Sequence, residues 1–340
     1  MNIIFILKDT GSLLCFWNKI HYLDELKRAG HSIFIFNPNQ YSCIDEANEQ
    51  LIALIKDNKN KYDLLVSLHE DGILYKETLV ELKSTSIPTL LICFDNLQTP
   101  YMHRKIAPLF DLVWLTSFET KHIFEKWGCK CVFLPYAANP YYFKPDFSKE
   151  INTVGFIGTP YGTRINKIND LIDNDLPVTV YSDKVFTKKS GQSELLNSNK
   201  RNRKMIIKIS EYELTGWRFG IGRKIIWSKA VKKFTSQPKS LSNSSLLEVY
   251  PSVPFEQMNR LYSDFALSLN ITEVWDTYVL KKPVHKLHLR TFEIPMCGGL
   301  QFAPYIEELA GYFEDDKEIV FYKDKSEYSD KAKYYLQEKL

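Results

Sequence analysis

Two short stretches carry side chains whose types and spacing suit a phosphorylated sugar. The first is Arg290-Thr291-Phe292-Glu293-Ile294-Pro295-Met296-Cys297-Gly298-Gly299. It reads as a loop running into a short helix that stops at two glycines. A cation with backbone N–H groups can there meet a phosphate, while a carboxylate takes a sugar hydroxyl. Arg and Glu three apart on a helix also suit a surface ion pair. The second stretch is Gly158-Thr159-Pro160-Tyr161-Gly162-Thr163-Arg164, a glycine-rich turn that carries an arginine into a helix and could hold a pyrophosphate. Gly158, Arg164, Arg290 and Thr291 converge if both turns lie on one edge of one sheet. Elsewhere, His69-Glu70-Asp71 and Asp95-Asn96 follow apolar runs and are candidates for acid–base or acceptor-binding work. A hydrogen-bonded structural histidine and a capping aspartate fit those positions equally well.

The elements that must position these groups alternate along the chain. Ile3 to Leu7 reads as a buried strand, Trp17 to Ala29 as a helix stopped by Gly30, and His31 to Asn37 as the next strand. Helices at 47–56, 75–83 and 117–127 then alternate with strands at 62–68, 88–94, 111–116 and 131–134. This is the pattern of a doubly wound parallel sheet. Pro135 to Pro145, with its prolines and aromatics and no period, reads as a linker. The alternation restarts with a strand at Thr153–Gly158 and a helix through Ile172. It continues with a strand at Leu246–Tyr250, a helix at Pro254–Tyr262, and a buried strand, Phe265 to Asn270, that leads toward the Arg290 loop. Asn270, at its polar end, joins the candidate ligand-binding residues. Ala303 to Leu309 is expected as a helix, Glu318 to Tyr322 as a strand, and Ser326 to Leu340 as a polar tail helix. The expected domains are 1–145 and 146–325, with a closing helix at 326–340.

At 340 residues, 44% hydrophobic and 25% charged, the composition is that of a soluble globular chain long enough for two cores. The net charge of +3 hides an asymmetry. Residues 183–239 hold fifteen basic and four acidic side chains, a balance of +11, which leaves about −8 for the rest. Aromatic residues such as Trp217 and Trp227 are interleaved there. Such a stretch suits a peripheral contact with an anionic membrane or acceptor, and equally an insertion with a solvated basic face. Nucleic acid is not expected. The N-terminal apolar run is too short to span a bilayer and has no basic flank, so a cytoplasmic protein is expected, with the inner membrane face as a site of peripheral contact. The six cysteines lack zinc-site spacing and read as reduced thiols. Gly11 lacks the G-x-G-x-x-G spacing of a dinucleotide fingerprint, which argues against a nicotinamide or flavin enzyme.

Several segments together resemble the CgeB-type glycosyltransferases: Phe133 to Phe143, Val154-Gly155-Phe156-Ile157-Gly158, Val253 to Met258, Arg290 to Gly299, and Lys317 to Tyr322. The resemblance implies a GT-B fold, two Rossmann-like domains facing across a cleft, with the acceptor on the N-terminal domain and a nucleotide-sugar, UDP-linked by preference, on the C-terminal one. It implies no metal and no cofactor beyond that co-substrate. It places Glu293 on the ribose hydroxyls, Arg290 and Thr291 near the diphosphate with Gly158 and Arg164 opposite, and Val253 at the base through its backbone. His69 is the candidate for acid–base or acceptor-orienting work. Related retaining enzymes carry two glutamates with seven residues between them, and the position matching the first is His285 here. Transfer with retention is the expectation. A sugar-nucleotide epimerase and a non-catalytic scaffold of a spore coat or envelope share the architecture and are the rival readings.

Overall fold

The computed structural model describes residues 1–58, 61–147, 149–183, 221–235 and 240–337. The chain divides into two compact units, Met1–Pro135 and Tyr136–Leu340. Most of the basic segment, 184–220 and 236–239, lies outside the described residues.

The first unit is built on a six-stranded parallel sheet of order β2-β1-β3-β4-β5-β6. The strands are β1 (Asn2–Ile6), β2 (Ser32–Phe36), β3 (Leu64–Ser67), β4 (Thr89–Cys93), β5 (Leu112–Leu115) and β6 (Cys131–Phe133). Ile3 to Leu7 is apolar without alternation because both faces of the central strand are covered. The first helix starts earlier than its apolar period suggests. Ser12 accepts a hydrogen bond from the Cys15 N–H at 3.3 Å, which caps α1 (Leu13–Asn18), and the chain continues through a π-helical turn, Lys19–Leu23, into α2 (Asp24–Arg28). Gly30, at φ +84°, then reverses the chain as a left-handed helix stop. Helices α3 (Ile44–Asp57), α4 (Lys76–Leu82) and α5 (Lys121–Lys126) complete the unit. The strand order reverses between β1 and β3, and open α/β sheets place ligands at the loops that follow strands at such a point.

The second unit carries another six-stranded parallel sheet, ordered β12-β11-β10-β7-β8-β9. Its strands are β7 (Ile151–Ile157), β8 (Val178–Tyr181), β9 (Leu247–Tyr250), β10 (Phe265–Leu269), β11 (Gln301–Pro304) and β12 (Val320–Tyr322). Here the order reverses between β7 and β10; the loops after them carry Gly158 and Asn270, and Arg164 stands in the helix that follows the β7 loop. The helices are α6 (Thr163–Ile172), α7 (Ile221–Phe234), α8 (Phe255–Asp264), α9 (Arg290–Met296), α10 (Glu307–Ala310) and α11 (Lys325–Gln337).

The helix expected at Ala303–Leu309 is instead the end of β11 followed by α10. Ala303, Ile306 and Leu309 mimic a helical period, but Pro304 has no N–H for a helix interior, and Phe302 stacks on Tyr328 at 5.1 Å in the core. The closing helix α11 is part of this unit: Tyr328, Ala332 and Leu336 are buried in the core with Phe156, Leu267 and Phe302. Residues 136–145 group with the second unit, where Phe143 meets Phe255 edge-on at 4.9 Å and Asn259 Nδ2 donates to the Tyr142 carbonyl at 2.5 Å. Among the described residues no helix is long and apolar enough to cross a membrane.

Candidate functional site

The site in the second unit starts from one backbone position. Gly158 closes β7 at φ +139°, a region that side-chain-bearing residues rarely adopt. A Cβ there would lie 2.7 Å from Arg290 Nη2. Glycine is thus required twice, for the turn and for the close approach of Arg290. The chain then turns through Gly162 into α6, and Arg164, in its first turn, donates from Nη1 to the Thr159 carbonyl at 2.9 Å.

Arg164 and Arg290 meet over one ring. Phe156, 1% exposed, has the Arg164 Cζ 5.7 Å and the Arg290 Cζ 5.3 Å from its centroid. Tyr161 takes the other contact of Arg164 at 4.4 Å. The two guanidiniums repel. Burial, and then the charge of Arg290, lowers the Arg164 pKa to about 10. Arg290 hydrogen-bonds to Tyr262, yet its Nε and Nη1 are buried and find no partner among the described residues. His288 sits in the same field. Burial, with Lys286, Arg290 and Arg164 around it, holds this imidazole neutral, its pKa well below the ordinary value. A buried cation with unmet N–H donors is costly unless something anionic completes it.

The remaining expected residues fall into three places. Asn270, at the end of β10, donates to the Thr291 hydroxyl at 3.1 Å, and that same oxygen accepts the His288 N–H at 3.2 Å. Thr291 is fully buried, so its hydroxyl braces the loop before α9 against β10. Glu293, one turn on, is 6% exposed, and its charge acts on Tyr262 and Cys297, pushing the Cys297 thiol, already raised by burial, up to about 12. Arg290 and Glu293 are therefore no surface ion pair. Val253 lies in the loop after β9, which is tied to the β8 loop where the Ser252 N–H donates to Asp183 at 2.9 Å.

Two neighbours of the site, Glu273 and Lys167, carry no signal in the sequence. Glu273, three residues past Asn270, faces His285 across a two-residue antiparallel bridge, and its Oε2 is buried without a partner among the described residues. Its charge acts on Arg164, Lys167 and His285. His285 Nδ1 lies 2.8 Å from the Thr272 hydroxyl. Lys167, one turn after Arg164, stands over Tyr322 at 4.4 Å and Tyr328 at 4.6 Å. Among the described residues no group of three or more His, Cys, Asp or Glu is placed to hold a metal ion. A groove of about 560 Å³ in this unit, lined by Tyr181, Gln257, Arg260 and Asp264, contains neither arginine of the site.

In the first unit His69 follows β3, at that sheet's own reversal point. Its Nε2 accepts the Lys8 N–H at 2.9 Å, from the loop after β1. Burial first, and Lys8 second, lowers its pKa to about 4. The ring is neutral with its hydrogen on Nδ1, and the lone pair a general base would use is already committed. That leaves the Nδ1–H as the group through which His69 can meet a ligand. Asn96 is a scaffold residue: its Oδ1 accepts from the Thr116 N–H and the Ser117 N–H, both at 3.1 Å. Asp95 holds a left-handed turn at φ +54°.

Residues 204–340 match the model of the glycosyl transferase-like family. No curated protein sequence matches the chain. Among solved structures, the chain is similar to Alr3699/HepE of Anabaena in complex with UDP and glucose, at TM-score 0.55 and 11% identity, covering 100% of this chain and 90% of that one. It is likewise similar to a glycosyltransferase from Rickettsia africae, at TM-score 0.55 and 11% identity over 98% and 87% of the two chains. A third is the sucrose-phosphate synthase of Thermosynechococcus elongatus, at TM-score 0.51 and 11% identity over 99% and 90%. At such identities the likeness speaks to fold, and the fold is GT-B, with two Rossmann-like units.

Proposed function

We propose that this protein is a glycosyltransferase that moves a sugar from a nucleoside-diphosphate donor, UDP-linked by preference, to an acceptor hydroxyl. The observation that carries this reading is the pair of guanidiniums, Arg164 and Arg290, gathered over Phe156 at the strand-order reversal of the second sheet, with Arg290 Nε and Nη1 buried and without a partner among the described residues. A diphosphate offers the charge and the acceptor oxygens that such a pair needs, and stabilising its departure is the main electrostatic task in sugar transfer. The match of residues 204–340 and the UDP and glucose of the Anabaena structure support the same reading.

Within it, Arg164 and Arg290 take the diphosphate, and Gly158 admits it to the backbone. Asn270 and Thr291 fix the loop that aims Arg290. Glu293 receives the ribose hydroxyls, and Val253 meets the base through its backbone. The first unit takes the acceptor, with His69 orienting it. The arginines meet the leaving charge without a metal ion. CgeB-type specificity and retention of configuration belong to the same proposal.

The test is a thermal-shift series of the whole chain with UDP, GDP, CDP and dTDP and their sugars, beside Arg290→Ala. A ligand at about a hundred times its Kd adds roughly 2.7 kcal/mol. One nucleotide series should raise the melting temperature, in EDTA as without it, and Arg290→Ala should abolish the shift. That variant should also lose donor-dependent turnover by on the order of a hundredfold or more. A well-folded Arg290→Ala protein with full turnover sinks the assignment.

A further inference from the structure

Helix α7, Ile221–Phe234, contributes no residue to the site described above, and its two faces differ. One is anchored. Gly222, Ile225 and Ser228 are buried, and Lys232 Nζ meets Asp276 Oδ1 at 2.6 Å beside the turn Thr277–Val279. The other presents large aromatic side chains to water: Trp227 is 64% exposed and Phe234 90%. Seven residues apart, they lie within about 20° of each other around the helix and roughly 10 Å apart along it. Both rings therefore reach the same plane. Arg223 and Lys224 fall on either side of this stripe, and from 221 to 235 the sequence holds five basic residues and no acidic one.

A solvated basic face accounts for the cations but not for an indole and a phenyl ring aligned among them. Aromatic rings that stop at one level beside lipid phosphates, with cations flanking them, are the device of a helix lying in a bilayer interface. The positive charge selects a negatively charged leaflet. Two rings about 10 Å apart in one plane suit a flat surface better than the closely stacked bases of a single strand. We propose that α7 docks this protein on an anionic lipid bilayer, with Trp227 and Phe234 at headgroup level and Lys224 and Lys233 facing the lipid phosphates. The anchored face leads back to the donor turn: Tyr278, beside the Lys232–Asp276 pair, borders Gly162, where a Cβ would come within 3.4 Å of the Tyr278 ring.

Sedimentation of the full chain with phosphatidylcholine vesicles, with and without phosphatidylglycerol, tests this. Binding is expected only when the anionic lipid is present. Trp227→Ser combined with Phe234→Ser should weaken it at least about tenfold at an unchanged melting temperature, and Lys224→Glu with Lys233→Glu should do the same. A wild-type chain that stays in the supernatant with both vesicle types overturns the proposal, as does an aromatic variant that binds like wild type. Binding to a single-stranded RNA oligomer but to neither vesicle would assign the charge to nucleic acid and overturn it as well.

Discussion

Arg164 and Arg290 show how a residue can be legible in sequence while its reason is not. Each stands in the first turn of a helix, which is where a ligand-binding cation is sought. The surface that gathers them is Phe156, an apolar residue inside a strand, and nothing in its type or spacing marks it as different from its buried neighbours. Glu273 and Lys167 went unnoticed because charged residues near strand ends and on helices are common, and only the folded chain shows that they surround His285 and Arg164. The tightest fit at this scale is Gly158. In Gly158→Ala the new methyl meets Arg290 Nη2 at 2.7 Å and the backbone must hold φ +139° with a side chain. Such strain costs on the order of 1–3 kcal/mol. The expected result is a lowered melting temperature together with at least a tenfold loss of UDP affinity, read by calorimetry. Unchanged affinity would mean that Arg290 does not face the nucleotide.

At the level of elements, the alternation of strands and helices was readable because parallel strands buried on both faces are near-continuous apolar runs. The end of β11 resembles a helix for a local reason, since three apolar residues at spacing three imitate a helical period across a proline. β8 leaves little trace in the sequence because it is four residues long and is followed directly by the basic segment. The two glycines after α9 were legible as a stop, but the second has another duty. A Cβ at Gly299 would lie 2.3 Å from the Tyr262 carbonyl oxygen, so the absence of a side chain is what lets the α9–β11 connection pass the end of α8. Gly299→Ala sets a methyl against backbone that cannot rotate away, and a loss of about 3 kcal/mol is expected in urea unfolding. A loss under about 1 kcal/mol would show that the α8 end yields.

For the molecule as a whole, the division into two sheet-based units was foreseeable from length and from the restart of the alternation, whereas their acid sensitivity was not. His21, His69 and His103 all lie in the first unit, and burial lowers each to a pKa of about 4. His103 is 4% exposed, and its Nδ1 has no partner among the described residues. With the folded pKa near 4 and the unfolded one near 6.5, the unfolded chain binds more protons between those values. Stability therefore falls as pH drops from about 6.5 toward 4, by on the order of 3 kcal/mol for the most buried ring and less for the other two. Denaturant midpoints of the full chain between pH 7 and pH 5 should show this decline, and His103→Leu should flatten it. An identical slope in the variant would place the acid sensitivity elsewhere.

The unmet donors of Arg290 bear on more than one ligand. Two desolvated guanidiniums select for compact double negative charge, not for a particular nucleoside, and inorganic phosphate, pyrophosphate and sulfate all supply it. Such ions are abundant in cells and in laboratory buffers. On the proposed function, nucleotide affinity at this site would be a competitive quantity, set by the free phosphate present as much as by the base and ribose that distinguish one donor from another.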